Sequence, residues 1–127
     1  MKAILKSIKD KWNAEASLNA YKLFFESAPQ KALMPYVVYL QVTNSPEYTM
    51  NTLMEDTRIQ FSAFSSKNSS KEVQDIFEKI IAVFDDVVLV IPGYDPVLFE
   101  RVVDVPTKTP EEAWQYNVEY RLLNQKK

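Results

Sequence analysis

From Trp114 to Leu122 the chain alternates without a break: Trp114, Tyr116, Val118, Tyr120 and Leu122 fall on one side, Gln115, Asn117, Glu119 and Arg121 on the other. A period of two with one apolar side is the pattern of a strand that buries one face. Thr57, Ile59, Phe61 and Ala63 repeat it against Arg58, Gln60 and Ser62. The run Tyr36–Val42 is bulkier and nearly continuous, and Pro35 suits the first position of a strand, where a missing N–H does no harm. Val87–Ile91, closed by Pro92 and Gly93, and Val97–Val105 predict two more strands. Tyr21–Glu26 is short and aromatic, and Pro29 just beyond it favours a strand over a helical turn.

Two stretches follow the helical period instead. Val73, Ile76, Phe77, Ile80, Ile81 and Phe84 make one apolar stripe. Ser69 with Glu72 three residues later reads as a capping box at its start. Asp85 and Asp86 are unfavourable at the negative end of a helix dipole, which predicts a stop near Phe84. At the start of the chain, Ile4, Leu5, Ile8 and Trp12 share a face while Lys2, Lys6 and Lys9 share another. Such a basic amphipathic helix suits an acidic or membrane surface, or a helix docked on the core with solvated lysines; the docked reading is preferred.

Between the first two long strands, Thr43–Asp56 combines turn residues (Asn44, Ser45, Pro46) with Tyr48, Met50, Leu53 and Met54. Loops rarely commit four large apolar side chains to water. Either the flanking strands extend into a long hairpin or this arm packs against another chain. Val105–Ala113, with a proline near each end, reads as a loop. The order helix, strands, helix, strands predicts one α+β domain over 1–127: a single, mostly antiparallel sheet packed against a long amphipathic helix and a short N-terminal helix.

Composition narrows the chemistry. The chain of 127 residues has no cysteine and no histidine, so thiolate chemistry, sulfur-bound zinc and the commonest general base are excluded. One glycine cannot build a phosphate-binding loop. The serines Ser62, Ser65, Ser66, Ser69 and Ser70 lack a histidine to activate them. Acidic pairs at Glu55–Asp56, Asp85–Asp86 and Glu111–Glu112, with Asp95 and Asp104, match no cation-loop spacing and read as solvated element ends. A net charge of −2 argues against a dedicated nucleic-acid binder. No apolar run approaches the roughly 20 residues of a membrane span, and the basic start has no continuous apolar stretch behind it to make a secretory signal. The expectation is a cytosolic, non-enzymatic protein with no catalytic residue, no cofactor and no metal, whose strands serve as surfaces. Tyr48, Met50, Leu53, Met54, Glu55 and Asp56 are the candidate interface for a second copy or another partner.

One resemblance is specific. The run SAPQKALMPYVVYLQV, the Arg-hydrophobic-Gln strand at Arg58–Gln60, the Ser-rich loop before the Val73–Phe84 stripe and the final strand at Tyr116–Leu122 resemble the tail-completion, or tail terminator, proteins of long-tailed bacteriophages. The likeness extends over nearly the whole chain from about Leu18. It implies a small α+β subunit of the virion, assembled in the host cytoplasm, that forms a homo-oligomeric ring at the tail–neck junction, typically a hexamer. Such a ring sits on the head-proximal end of the tail tube, stops tube polymerisation and offers a docking face to the neck. The implied partners are other copies of the chain, the major tail tube protein and a head-completion or connector protein. DNA passes through without specific binding, and no membrane is involved. The acidic arm at Glu47, Glu55 and Asp56 is then a candidate for the lumen, where carboxylates repel phosphates. The alternatives are another neck component, such as a head-completion or stopper protein, and a small metal-dependent enzyme using the scattered carboxylates.

Overall fold

The two cleanest alternations in the sequence become neighbouring strands in the middle of the sheet. A computed structural model of the chain describes residues 2–27, 35–48, 53–65, 71–91, 93–108 and 114–125. Their order is α1 (Lys2–Ala14), β1 (Lys22–Phe25), β2 (Tyr36–Tyr48), β3 (Leu53–Ser65), α2 (Lys71–Phe84), β4 (Val88–Leu89), β5 (Val97–Lys108) and β6 (Trp114–Gln125). The six strands form one sheet in the order β1-β2-β3-β6-β5-β4. The class is α+β, as the element order predicts. The sheet itself is mixed, not simply the mostly antiparallel one expected. β1 runs parallel to β2, while β2–β3, β3–β6, β6–β5 and β5–β4 are antiparallel.

Register carries the apolar alternation onto one face. Phe61 stands opposite Tyr39 on β2 and Val118 on β6, and Ile59 stands opposite Tyr120. All five are buried. Both helices cover this face. From α1, Trp12 stacks on Phe61 with ring centroids 6.0 Å apart; from α2, Phe84 lies 5.0 Å from the same ring. Phe77 stacks on Tyr116 at 4.2 Å. Offset aromatic pairs at such distances add about 0.5–1.5 kcal/mol beyond area burial. α2 spans 14 residues and buries Val73, Ile76, Phe77, Ile80 and Phe84, the stripe read from the sequence with Ile81 at its edge.

Polar tips on the buried aromatics tie the layers together. The Trp12 indole N–H donates to the Tyr21 carbonyl at 3.1 Å, and the Tyr39 hydroxyl donates to the Leu5 carbonyl at 3.3 Å. Lys9 donates to the carbonyl of Leu23, so one of the α1 lysines is spent on the core side and not on solvent. At the start of α2, the carboxylate of Glu72 accepts from Ser65 at 2.5 Å; Ser69, the expected cap, lies outside the described residues. At its end the helix stops at Phe84, where the two aspartates predicted the stop. Asp86 takes a left-handed φ of 57°, and its N–H donates to the Phe99 carbonyl at 3.1 Å, so the helix terminus is stitched to β5.

Three boundaries differ from the sequence reading. β2 and β3 run on through most of Thr43–Asp56, so the long-hairpin alternative is the one the structure adopts. β5 continues through Pro106 to Lys108, inside the expected loop. Proline is tolerated there because no described strand lies on the outer side of β5 at that height, and the missing N–H breaks no ladder bond. Val87–Ile91 shortens to β4 at Val88–Leu89.

Phe61 touches four buried rings, from Trp12, Tyr39, Phe84 and Tyr120. Phe61→Ala should therefore cost about 3–5 kcal/mol, read from the midpoint of urea unfolding. Phe25→Ala, on a side chain 44% exposed, should stay within about 0.5 kcal/mol.

Candidate functional site

With both helices on one face, the other face of the sheet and its two outer margins are what the fold leaves for contacts. The helix-free face is built on β3 and β6. Arg58 and Arg121 are direct cross-strand neighbours, a like-charge pair that costs stability if left alone. Each is answered along the diagonal. The Arg58 guanidinium meets Glu119 at 3.2 Å and the Arg121 Nε donates to Asp56 at 3.0 Å. The two carboxylates are only 16% and 15% exposed. The four charges sum to zero, and their main effect is to remove a repulsion rather than to add much net stability.

Beyond them β3 and β6 carry uncharged polar side chains bonded to one another, while Glu100 of β5 stands opposite Arg121 and Lys22 lies at the β1 edge. Ser62 donates to the side-chain Oδ1 of Asn117 at 2.6 Å, Gln115 donates to the same oxygen at 2.7 Å, and Gln60 donates to Ser62 at 2.9 Å. Toward β1 the surface turns aromatic: Phe24 packs edge-on against Tyr36 at 5.7 Å, and Tyr36 packs on Phe64 at 5.3 Å. A shallow depression of about 320 Å³ opens there, lined by Tyr36, Val38, Leu40, Gln60, Ser62 and Gln115 among others. With Glu26, Ser27 and Phe64 completing the lining, it presents amides, hydroxyls, one carboxylate and aromatic edges.

Three of the carboxylates singled out in the sequence, Asp56, Asp85 and Asp104, are held in pairs by the fold. The Tyr120 hydroxyl donates to Asp85 at 2.6 Å, and the Tyr116 hydroxyl donates to Asp104 at 2.9 Å. Arg101 bridges both acids, at 3.5 Å to Asp85 and 3.7 Å to Asp104. The negative charge that Asp85 places at the end of α2 is thereby met by a cation from β5. Burial, then the bond to Asp85, pushes the Tyr120 phenol well above the ordinary tyrosine value of 10.0. Burial and the bond to Asp104 raise Tyr116 as well. Asp56 is tied to Arg121 as above, and Glu111 and Glu112 lie outside the described residues. Among the described residues no cluster of three acidic or other ligating side chains could hold a metal ion.

A cleft of about 650 Å³ lies between Tyr21 and the outer side of α2. Its lining includes Lys71, Glu72, Asp75, Glu78 and Lys79, the solvent side of an amphipathic helix. Lys79 donates to the Tyr21 hydroxyl at 3.0 Å and lies 5.0 Å from the centre of that ring. This is a clasp between α2 and the segment before β1. No helix among the described residues is long and apolar enough to cross a membrane.

The expected interface residues fall on the β2–β3 hairpin. Tyr48 and Leu53 are its last described pair, Met54 stands between Glu47 and Gln125, and Asp56 between Ser45 and Leu123. Glu55 lies opposite Pro46 and gives its carbonyl to Asn124 at 3.1 Å. Met50 lies outside the described residues. Sequence reasoning overlooked a second set. The eight exposed large apolar side chains among the described residues all lie on, or one residue past, the four marginal strands. Phe25 and Val42 are on one margin; Val88, Val90, Leu98, Val102, Val103 and Val105 are on the other. Among the side chains whose exposure is described, none on α1, α2, β3 or β6 is of this kind. The signal available was the doubled Val102–Val103, which breaks the two-residue period where β5 slips register.

The family described as "Tail completion protein gp17" matches residues 2–123. No curated protein matches the chain in sequence. A solved chain from the "Virion of native gene transfer agent (GTA) particle" is similar in structure, with a TM-score of 0.82 at 11% identity over 98% of this chain and 96% of that one. A second solved chain has a TM-score of 0.67 at 13% identity, covering 98% and 92%. At such identities the likeness speaks for the fold.

The Tyr120 bond has a consequence that can be measured. A phenol harder to ionise folded than unfolded contributes stability that is complete below about pH 10 and is lost as pH climbs above it. Unfolding free energy should fall above about pH 10, and Tyr120→Phe should make that fall shallower while costing about 1.5–3 kcal/mol at neutral pH. An unchanged alkaline slope in urea titrations of the variant would show that Tyr120 is not the group responsible.

Proposed function

Since the chain belongs to the tail completion protein gp17 family, we propose that it forms a ring, a hexamer on the preferred reading, on the head-proximal end of a tail tube. There it ends tube polymerisation and presents a face to the neck of the capsid. Membership makes it a structural protein of phage-type tails. The ring, its position at the tail–neck junction and its partners are the proposal. Those partners are further copies of the chain, the major tail tube protein and a head-completion or connector protein. The whole chain acts as one domain in this role and performs no catalysis.

The observation that carries the reading is the placing of the exposed apolar side chains on the sheet margins. Marginal strands are where one sheet meets another, and natural monomers usually blunt them with charge. A head-to-tail contact repeated with a rotation of about 60° closes at six copies, and a closed ring on a tube end leaves no template for the next tube subunit.

The helix-free face suits the passage of DNA. Its two arginines are each engaged by a carboxylate and its amides bond to one another. A wall that holds both of its arginines in ion pairs offers phosphates little to adhere to. It replaces the acidic arm as the better candidate for the lumen, because Asp56 of that arm is already neutralised by Arg121.

Electron microscopy of the purified chain mixed with its cognate tail tubes tests the proposal. Rings on one end of the tubes are the expected result, and a chain that stays monomeric and ignores the tubes would overturn it. Replacing Leu53 and Met54 together by Ser should leave the melting temperature nearly unchanged and weaken assembly. A collapse of thermal stability would instead place both residues in the monomer's core.

A further inference from the structure

The two margins of the sheet are stepped in complementary ways. Pairing lines run straight across the four long strands, so heights on opposite margins can be compared. Gln41, Ile59, Tyr120 and Arg101 form one line; Thr43, Arg58, Arg121 and Glu100 form the next. β1 covers β2 only at Tyr36–Tyr39, which is the height of Asp104 to Thr107 on β5. β4 covers β5 only at Val97–Leu98, and Leu98 is level with Ser45 on β2. Among the described residues, then, β2 is bare beside Ser45 where β4 projects from the other margin. β5 is bare beside Asp104–Thr107 where β1 projects from the first. Each notch is one strand wide.

We propose that these margins join two copies of this chain by a lap joint, in which β4 of one copy lies against the bare half of β2 in the next and β1 of the next lies against the bare half of β5 in the first. The proposal rests on the ring reading and specifies its seam. Strand directions agree with it. β1 runs parallel to β2 and so antiparallel to β5, while β4 runs antiparallel to β5 and so parallel to β2. The joint therefore repeats across the seam the two kinds of ladder that the sheet already contains at its own ends.

The side chains agree as well. Every marginal strand brings exposed apolar groups to the joint: Phe25 from β1, Val42 from β2, Val88 from β4, and Val103 and Val105 from β5. Val42 and Val102 stand at the register slips of β2 and β5, nearly level on opposite margins. They would face each other across the short interval between the inserted strands. Pro46 and Pro106 lie in the two bare halves. A proline interrupts backbone pairing along an edge, which keeps the joint short and weighted toward side-chain burial rather than open-ended ladder growth. The surface is also different at the two ends of the repeat, so the contact is head-to-tail and generates a closed ring or a filament, never a two-fold dimer.

The chain contains no cysteine, so introduced thiols report cleanly. Val88→Cys and Ser45→Cys are placed on opposite margins at one height. When separate preparations of the two variants are mixed on tail tubes and oxidised, a linked pair containing one of each should form. Neither preparation alone should link, and the chain carrying both substitutions should give a ladder that ends at the ring size. Val103→Lys with Val105→Lys, at positions 48% and 43% exposed, should lower the assembled fraction about tenfold with no change in melting temperature. If wild-type chains assemble but the mixed thiols do not link, or the lysine variant assembles normally, the seam is wrong and the ring stands. Self-linking of a single preparation would mean a two-fold contact and would also overturn the seam. Wild-type chains that never assemble on tubes would overturn the ring reading and the seam together.

Discussion

The packing of Trp12 and Phe84 together on Phe61 brings both helices to one face of the sheet. That choice of face governs what remains outside. Had one helix crossed to the opposite side, β3 and β6 would have needed apolar residues on both faces. Their sequences instead alternate cleanly, and the outer set (Arg58, Gln60, Ser62, Asn117, Glu119, Arg121) is polar. A one-residue slip in either strand would bury these groups and expose Phe61 and Tyr120, so the aromatic cluster also fixes register.

The helix-free face shows how the remaining polar groups are made inert. Arginine is the side chain most apt to capture a phosphate, because its planar fork matches the anion's oxygens. Here both arginines of the face have a carboxylate partner one step along the diagonal, and the amides and hydroxyl between β3 and β6 point into one another. The same device appears on the core side, where Arg101 lies between Asp85 and Asp104. Among the described residues, the charges of Arg58, Arg101 and Arg121 and of their carboxylate partners cancel one another, which is consistent with a scaffold role.

Elements were legible in the sequence where periodicity is local. The stripe Val73–Phe84, the alternation at Trp114–Leu122 and the stop at Asp85–Asp86 each needed only neighbouring residues to be read, and each is found at or close to its expected bounds. What could not be read depended on distant pairing. Pro106 belongs to a strand that no described strand flanks on its outer side at that height, and nothing within the loop-like run around it says so. The hairpin over Thr43–Asp56 offered two readings, and its turn residues alone did not choose between them. Of the candidate interface residues, the sequence located Leu53 and Met54 by their unexpected apolarity. It passed over Val42, Val102 and Val105, which look like ordinary strand residues until the sheet order reveals that they lie on its rim.

The attachment of α1 carries one more implication. Three of its ties run from a side chain to a main-chain carbonyl: Trp12 to Tyr21, Tyr39 to Leu5, and Lys9 to Leu23. A peptide oxygen is present whatever residue occupies the position, so Tyr21, Leu5 and Leu23 can drift in identity without untying the helix. Half of each fastening is thus invisible to mutation. An architecture secured in this manner can outlast nearly all of its original wording, which is the condition of two chains that still superpose closely at 11% identity.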